Sequence, residues 1–226
     1  MAGGFPCADE GLKQLAGLVN LRELSLAGTL ITDDGLESLT GLDRLEVLDL
    51  WRTRVTNAGL RKVAALTELR ALGLKLSLVT DGGLKELKGL TKLQSLQLGN
   101  TAVGDTGVKE VAGLKSLRRL GLSATGVTNA GLKTLTALDS LEALDLGGTA
   151  VTDAGMKNLA AIQSLEELDL SNTGVTDAAL DDLARLHNLK RLGLKGTKIT
   201  AAGIARLHKA LRRCDIDYDA PPRIDT

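Results

Sequence analysis

Aromatic residues are nearly missing from this chain, which has one Trp, one Tyr and one Phe in 226 residues. The core must therefore be aliphatic, and the stacked aromatic platforms that hold single-stranded nucleic acid are not available. Net charge is missing as well. Lys+Arg and Asp+Glu number 28 each, so duplex nucleic acid and anionic membranes, which reward a basic surface, are not expected partners. No apolar run reaches the roughly 18 residues that a membrane-spanning helix needs. The opening MAGGFPCADE has neither the basic start nor the apolar stretch of a signal peptide. Catalytic signatures are also lacking: there is no G-x-x-x-x-G-K-[ST], no G-x-S-x-G and no H-E-x-x-H.

Cysteine is scarce, with Cys7 and Cys214 near opposite ends of the chain. There is no N-x-S/T sequon to argue for secretion. What fills the sequence instead is a repeat. Aligned on L-x-x-L-x-L, eight units of 24 residues begin at Leu21, Leu45, Leu69, Leu93, Leu117, Leu141, Leu165 and Leu189, with no insertion or deletion up to Arg212. Dozens of positions recur in register, so the signal is far stronger than a lone L-x-x-L. Eight strands at about 4.8 Å spacing would put the two cysteines roughly 40 Å apart, beyond disulfide reach, which favours a reducing, cytoplasmic compartment.

The spacing resembles that of leucine-rich repeats, over some nine-tenths of the chain. The second half of each unit reads V/I-T-D-x-G-L-x-x-L, as in Val151-Thr152-Asp153-Ala154-Gly155-Met156. That half is similar to the cysteine-containing subclass found beside F-boxes, in a shortened form like bacterial 24-residue repeats. Where that subclass carries Cys, and most leucine-rich repeats carry Asn, this chain has Thr29, Thr53, Ser77, Thr101, Thr125, Thr149, Thr173 and Thr197. With no F-box-like segment ahead of the repeats, a ubiquitin-ligase role does not carry over. The resemblance implies an α/β fold, a right-handed leucine-rich-repeat solenoid with a parallel sheet on the concave side and helices on the convex side. It also implies a non-enzymatic protein-interaction scaffold with no cofactor, a monomer that binds a protein on its concave face.

Three segments are expected: an N-terminal cap with half a repeat (1–20), eight repeats (21–212) and a capping strand with a tail (211–226). In the half repeat, Cys7 falls on the Ile31 position, Asp9 on Asp33, and Leu12, Leu15 and Leu18 on Leu36, Leu39 and Leu42, with Phe5 and Pro6 covering the open end. Within a unit such as Leu141–Leu146, period-2 alternation sends Leu144 and Leu146 inward and Ala143 and Asp145 outward. The Thr column should point into the stack and bond to backbone, because a buried hydroxyl without a partner is costly. Thr-Asp or Thr-Asn should then cap a helix. A recurring Gly, from Gly35 to Gly203 with Ala179 as its exception, indicates close contact between adjacent helices. A basic row of Arg61, Lys85, Lys109, Lys133 and Lys157 reads as a solvated convex face. Leu211–Ile216 reads as a final strand with Cys214 in a core Leu position, and Pro221 and Pro222 lie in a tail.

Two features interrupt the monotony of the outward positions. Trp51 lies just past the second strand, beside Arg52 and Arg54, and the third unit puts Lys75, Leu76 and Leu78 at related positions, with Leu30 in the first. Most other units carry Ala, Gly, Ser or Asn there. An exposed Trp–Leu–Arg cluster has the composition of a binding hot spot; the alternative is incidental packing of Trp51 over aliphatic stems. The second feature is acidic. Asp145 and Asp169 occupy one outward position on adjacent strands, with Glu167 nearby, and should repel each other. As an alternative function, that pair would support metal-dependent or small-molecule hydrolysis, and a third reading makes the chain a structural spacer in a longer protein. His187 and His208 face outward with no converging ligands, so no metal site is expected.

Overall fold

The computed structural model describes residues 9–219. Each repeat opens with a three-residue strand: β1 (Glu23–Ser25), β2 (Val47–Asp49), β3 (Ala71–Gly73), β4 (Ser95–Gln97), β5 (Arg119–Gly121), β6 (Ala143–Asp145), β7 (Glu167–Asp169), β8 (Arg191–Gly193) and β9 (Asp215–Asp217). All pair in parallel, in sequence order, as one sheet. The register is set by the repeat: Leu48 faces Leu72, Leu72 faces Leu96, and each outward residue faces its counterpart 24 positions on. Strands this short persist because each inward Leu is buried against the units on both sides, as Leu48, Leu96 and Leu120 are. Leu21 and Leu24 of the first unit are only partly buried, since no strand precedes β1 among the described residues.

The helices form the second layer: α1 (Asp9–Leu12), α2 (Asn57–Val63), α3 (Asp81–Leu84), α4 (Asp105–Val111), α5 (Asn129–Leu135), α6 (Asp153–Leu159), α7 (Leu180–Leu183) and α8 (Ala201–Ala210). Short 3-10 turns replace or extend them at Lys13–Leu15, Gly35–Leu39, Lys85–Gly89 and Asp177–Ala179. The triplet Leu132, Leu135 and Leu138 is fully buried, as its i, i+3, i+6 spacing predicts. None of these helices is long and apolar enough to cross a membrane.

Two polar columns hold the layers together. Hydroxyls of the Thr column turn inward and donate to the carbonyl three residues back, as Thr53 does to Leu50 (2.8 Å), Thr101 to Leu98 (2.6 Å) and Thr149 to Leu146 (2.6 Å). These bonds stay within one repeat. The Asp/Asn column does something the capping expectation missed. Thr56, Thr128, Thr176 and Thr200 cap their own helical turns, but the acid or amide that follows the first three reaches forward into the next repeat. Asp105 accepts from the Thr128 N–H (2.8 Å) and hydroxyl (2.6 Å) and from the Gly131 N–H (3.0 Å). Asp33 binds Thr56 in the same way, and Asp153 binds Thr176. Asn57 and Asn129 use both amide atoms on Thr80 and Thr152. Asp105 therefore does not stand in as a cap where Gly104 replaces Thr; the Gly104 N–H is instead bound by Asp81 (2.6 Å). Ala201 ends the column because no further helix follows it among the described residues.

This staple also explains the Gly column. A Cβ at Gly83, Gly107, Gly131 or Gly155 would sit 2.5 Å from the side-chain oxygen of Asn57, Asp81, Asp105 or Asn129. The close contact is thus with the neighbouring helix, as expected, through its first-residue staple and a Leu methyl (Leu60 at 3.0 Å from a Cβ at Gly83, Leu84 at 2.8 Å from one at Gly107, Leu132 at 2.7 Å from one at Gly155). Where Ala179 takes this place, the segment begins as the 3-10 turn Asp177–Ala179.

The ends differ from the middle. Asp9 staples Thr32 (2.9 and 2.6 Å) and Leu12 is fully buried, so the half repeat is docked. Leu18, unlike its counterpart Leu42, is half exposed. The expectations for Phe5, Pro6, Cys7, Pro221 and Pro222 lie outside the described residues. At the other end the register departs from the sequence reading. Ile216 pairs with Leu192, which puts Cys214 on the Lys190 column rather than a core Leu column. The ten-residue α8 takes up residues that a seven-residue helix would have left for the loop. Cys214 is still buried, and burial pushes its thiol up to about 11, which keeps it protonated at neutral pH.

Candidate functional site

The concave face divides into two regions that share Gln97 as a border. The C-terminal region is a groove of ≈ 570 Å³ lined by Arg119, Asp145, Glu167, Asp169, Arg191 and Asp217, among others. Asp145 and Asp169 do face each other in the sheet register, with Gly121 and Gly193 on their outer flanks. Each carboxylate is occupied by backbone of its own turn: Asp145 accepts from the Gly147 N–H (3.0 Å) and Asp169 from the Ser171 N–H (2.8 Å). Glu167 pairs with Arg191, whose hydrogen bond holds the Glu167 carboxyl below its usual range. Lys195 pairs with Asp217 (2.7 Å). Among the described residues, no group of three His, Cys, Asp or Glu side chains is arranged to hold a metal ion. Glu167 with Arg191 is the one ion pair inside the groove among the described residues; Arg119 makes none.

The N-terminal region is built differently. After each strand the chain turns sharply, and one residue per repeat takes a left-handed conformation: Gly28, Arg52, Leu76, Asn100, Ala124, Gly148, Asn172 and Gly196. The turn lets successive loops bond to one another. The Gly28 N–H donates to the Trp51 carbonyl (2.7 Å) and the Arg52 N–H to the Lys75 carbonyl (2.9 Å). One row further on, the Arg54 N–H donates to Ile31 and the Leu78 N–H to Val55 (2.9 Å each). These bonds bring the seven residues singled out from the sequence onto one edge of the solenoid. Trp51 and Lys75 are neighbours in the column next to the sheet. Arg52 and Leu76 share the left-handed column, and Leu30, Arg54 and Leu78 share the outermost one.

The conformation at Arg52 (φ 53°) and Leu76 (φ 59°) is one that Gly and Asn adopt readily, and they fill most of this column. A bulky L-residue there costs about 1–2 kcal/mol. The sequence reading placed Leu76 in the patch without seeing this strain; the recurring Gly and Asn of its column were the available signal. Leu76 is also 42% exposed, Leu30 48%, Leu78 60% and Trp51 39%. Beyond these four, the exposed large hydrophobics among the described residues are Leu18 and Val19, in the N-terminal cap. Trp51 walls a shallow groove of ≈ 350 Å³ floored by Val47, Ala71, Gly73 and Ser95.

Comparison with known proteins agrees with this architecture. The family described as Leucine Rich repeat matches at residues 18–39, 89–112, 137–160 and 161–184. Among solved structures, an internalin (inlF) from Listeria monocytogenes superposes with a TM-score of 0.66 at 22% identity, covering 93% of this chain and 71% of that one. Internalin C2 of the same organism gives a TM-score of 0.61 at 27% identity, covering 84% and 79%. No curated protein matches in sequence. The chain is an α/β leucine-rich-repeat solenoid.

Proposed function

We propose that this solenoid binds a protein partner on the concave face and adjoining loop edge of its first three repeats, led by Trp51, Arg54, Leu76 and Leu78. One observation carries the reading: Leu76 is both exposed and left-handed, two separate free-energy costs at one residue, beside the single Trp. Strain and exposed apolar surface are each removed easily by substitution, and their coincidence is what a binding site retains. The mechanism is preorganisation. The loops are held by inter-repeat hydrogen bonds, so the anchors lose little freedom on contact. No chemistry on a substrate is involved in this reading. The V/I-T-D-x-G-L half of each unit further supports placing the repeats near the cysteine-containing subclass, with Thr in place of Cys.

The test is affinity capture from lysate of the source cell, read by mass spectrometry, with wild type beside Trp51→Ala/Leu76→Asn. Asn is chosen because Asn100 and Asn172 hold the same backbone position. Circular dichroism must show both proteins folded. A protein retained by wild type and lost by the variant is expected; equal retention of every captured protein by both would refute this site.

A further inference from the structure

The apolar patch carries cations without carboxylate partners. On the sheet face and its edges several cations are matched: Arg191 to Glu167, Lys195 to Asp217, Lys190 to Glu166, Lys92 to Glu68, Arg70 to Glu46. Arg52, Arg54 and Lys75 make no ion pair among the described residues; Arg119 on the sheet face and Lys198 on the loop edge share this, but neither lies among exposed apolar side chains. Arg52 and Arg54 flank the buried Thr53 and are both exposed. The three cations therefore interleave with Leu30, Trp51, Leu76 and Leu78 on three adjacent loops, rows about 4.8 Å apart. A patch whose apolar anchors alternate with uncompensated positive charge complements one kind of surface: apolar side chains interspersed with carboxylates.

Resting on the docking site proposed above, we infer that its partner presents an acidic segment, two or three aliphatic or aromatic side chains flanked by Asp or Glu, laid across the loops of repeats one to three. The apolar side chains meet Leu76, Leu78 and the Trp51 groove, while the carboxylates meet Arg52, Arg54 and Lys75. An anionic bilayer has related chemistry but is flat. The Trp51 groove opens on the concave face, with Asp49 at its lining, which would set a carboxylate against lipid phosphate. A segment that enters the groove and carries its charges only over the loops avoids that clash.

The experiment is selection of roughly 12-residue random peptides, long enough to cross the three loops, on the full chain. Binding of the selected peptides is then read from the fluorescence of Trp51, the single Trp of the protein. Selected sequences are expected to combine aliphatic or aromatic residues with a net negative charge. Their affinity is expected to fall about tenfold from low to physiological salt, as matched rim charges dictate. Arg52→Gln/Arg54→Gln/Lys75→Gln should lose that salt dependence and most of the acidic preference while still binding apolar peptides. Peptides without an acidic bias that still compete at Trp51 would overturn the charge assignment and leave the docking site standing. Recovery of no peptide that changes Trp51 fluorescence would overturn the segment, with the capture experiment deciding the site separately. Sedimentation with phosphatidylserine vesicles, abolished in Trp51→Ala/Leu76→Asn, would overturn it in favour of a membrane.

Discussion

Repeats one to three and repeats four to eight share the strand register, the core columns and, up to Ala201, the staple, yet their loop edges differ sharply. In the later repeats the column next to the sheet reads Gly99, Ser123, Gly147, Ser171 and Lys195, and the left-handed column reads Asn100, Ala124, Gly148, Asn172 and Gly196. The first repeat holds Ala27 and Gly28 there and departs only at Leu30 in the outermost column, whereas the second and third hold Trp51 with Arg52 and Lys75 with Leu76. Because the architecture is constant, folding does not require the bulky residues; the later repeats are the internal control. What distinguishes the early loops is therefore available to be assigned to binding.

The comparison can be broken most forcefully at the anchors. Trp51→Ala/Leu76→Asn is expected to weaken partner binding by about a hundredfold, since hot-spot truncations cost ~2 kcal/mol or more each and add imperfectly. Asp145→Asn/Asp169→Asn on the later strands should change it less than about threefold, as energetically neutral positions do; calorimetric titration of the captured partner measures both. A large loss in the acidic pair would move the site to the C-terminal groove.

Next in size is the staple common to both regions. Asp105→Ala leaves the Thr128 N–H without its acceptor, removes one of two from the Gly131 N–H, and should lower stability by about 2–3 kcal/mol. Asp105→Asn should cost under ~1 kcal/mol, because Asn57 and Asn129 already do the same job. Urea unfolding of the pair is the check, and equal effects would deny the carboxylate its inter-repeat role.

A reciprocal exchange sharpens the contrast at the turns. Leu76→Asn should stabilise the fold by about 1 kcal/mol, and Asn100→Leu should destabilise it by a similar ~1 kcal/mol. A stabilising substitution that removes binding is the expected signature of strain kept for function. Loss of stability in Leu76→Asn would mean that Leu76 is a packing residue.

The smallest effect is electrostatic and confined to the later repeats. Arg191 holds the Glu167 carboxyl below its usual value, so the pair contributes stability that is fully present above the unfolded-state carboxyl range and is lost as pH falls through the lowered folded value. The urea midpoint of wild type should drop more than that of Arg191→Gln between pH 7 and strongly acidic pH. The difference will be small, because both side chains are well exposed to solvent.

The sequence alone determined the period, the inward leucines, the inward Thr hydroxyls and the seven residues of the loop patch, because each follows from a column that repeats or visibly fails to repeat. It also placed Asp145 beside Asp169, since a fixed 24-residue register leaves one answer. Only the tertiary structure decided what the Asp/Asn column does. Asp105 reads as a helix cap from its own neighbourhood, and its real partners, Thr128 and Gly131, lie 23 and 26 residues away. The same holds for the Gly column, whose small size answers to a side chain in the preceding repeat. The left-handed turn at Leu76 and the unmatched charge of Arg52, Arg54 and Lys75 likewise depend on where neighbouring loops come to rest. Local pattern dictates what each residue can do, and the packing of one repeat on the next decides which of those options is used.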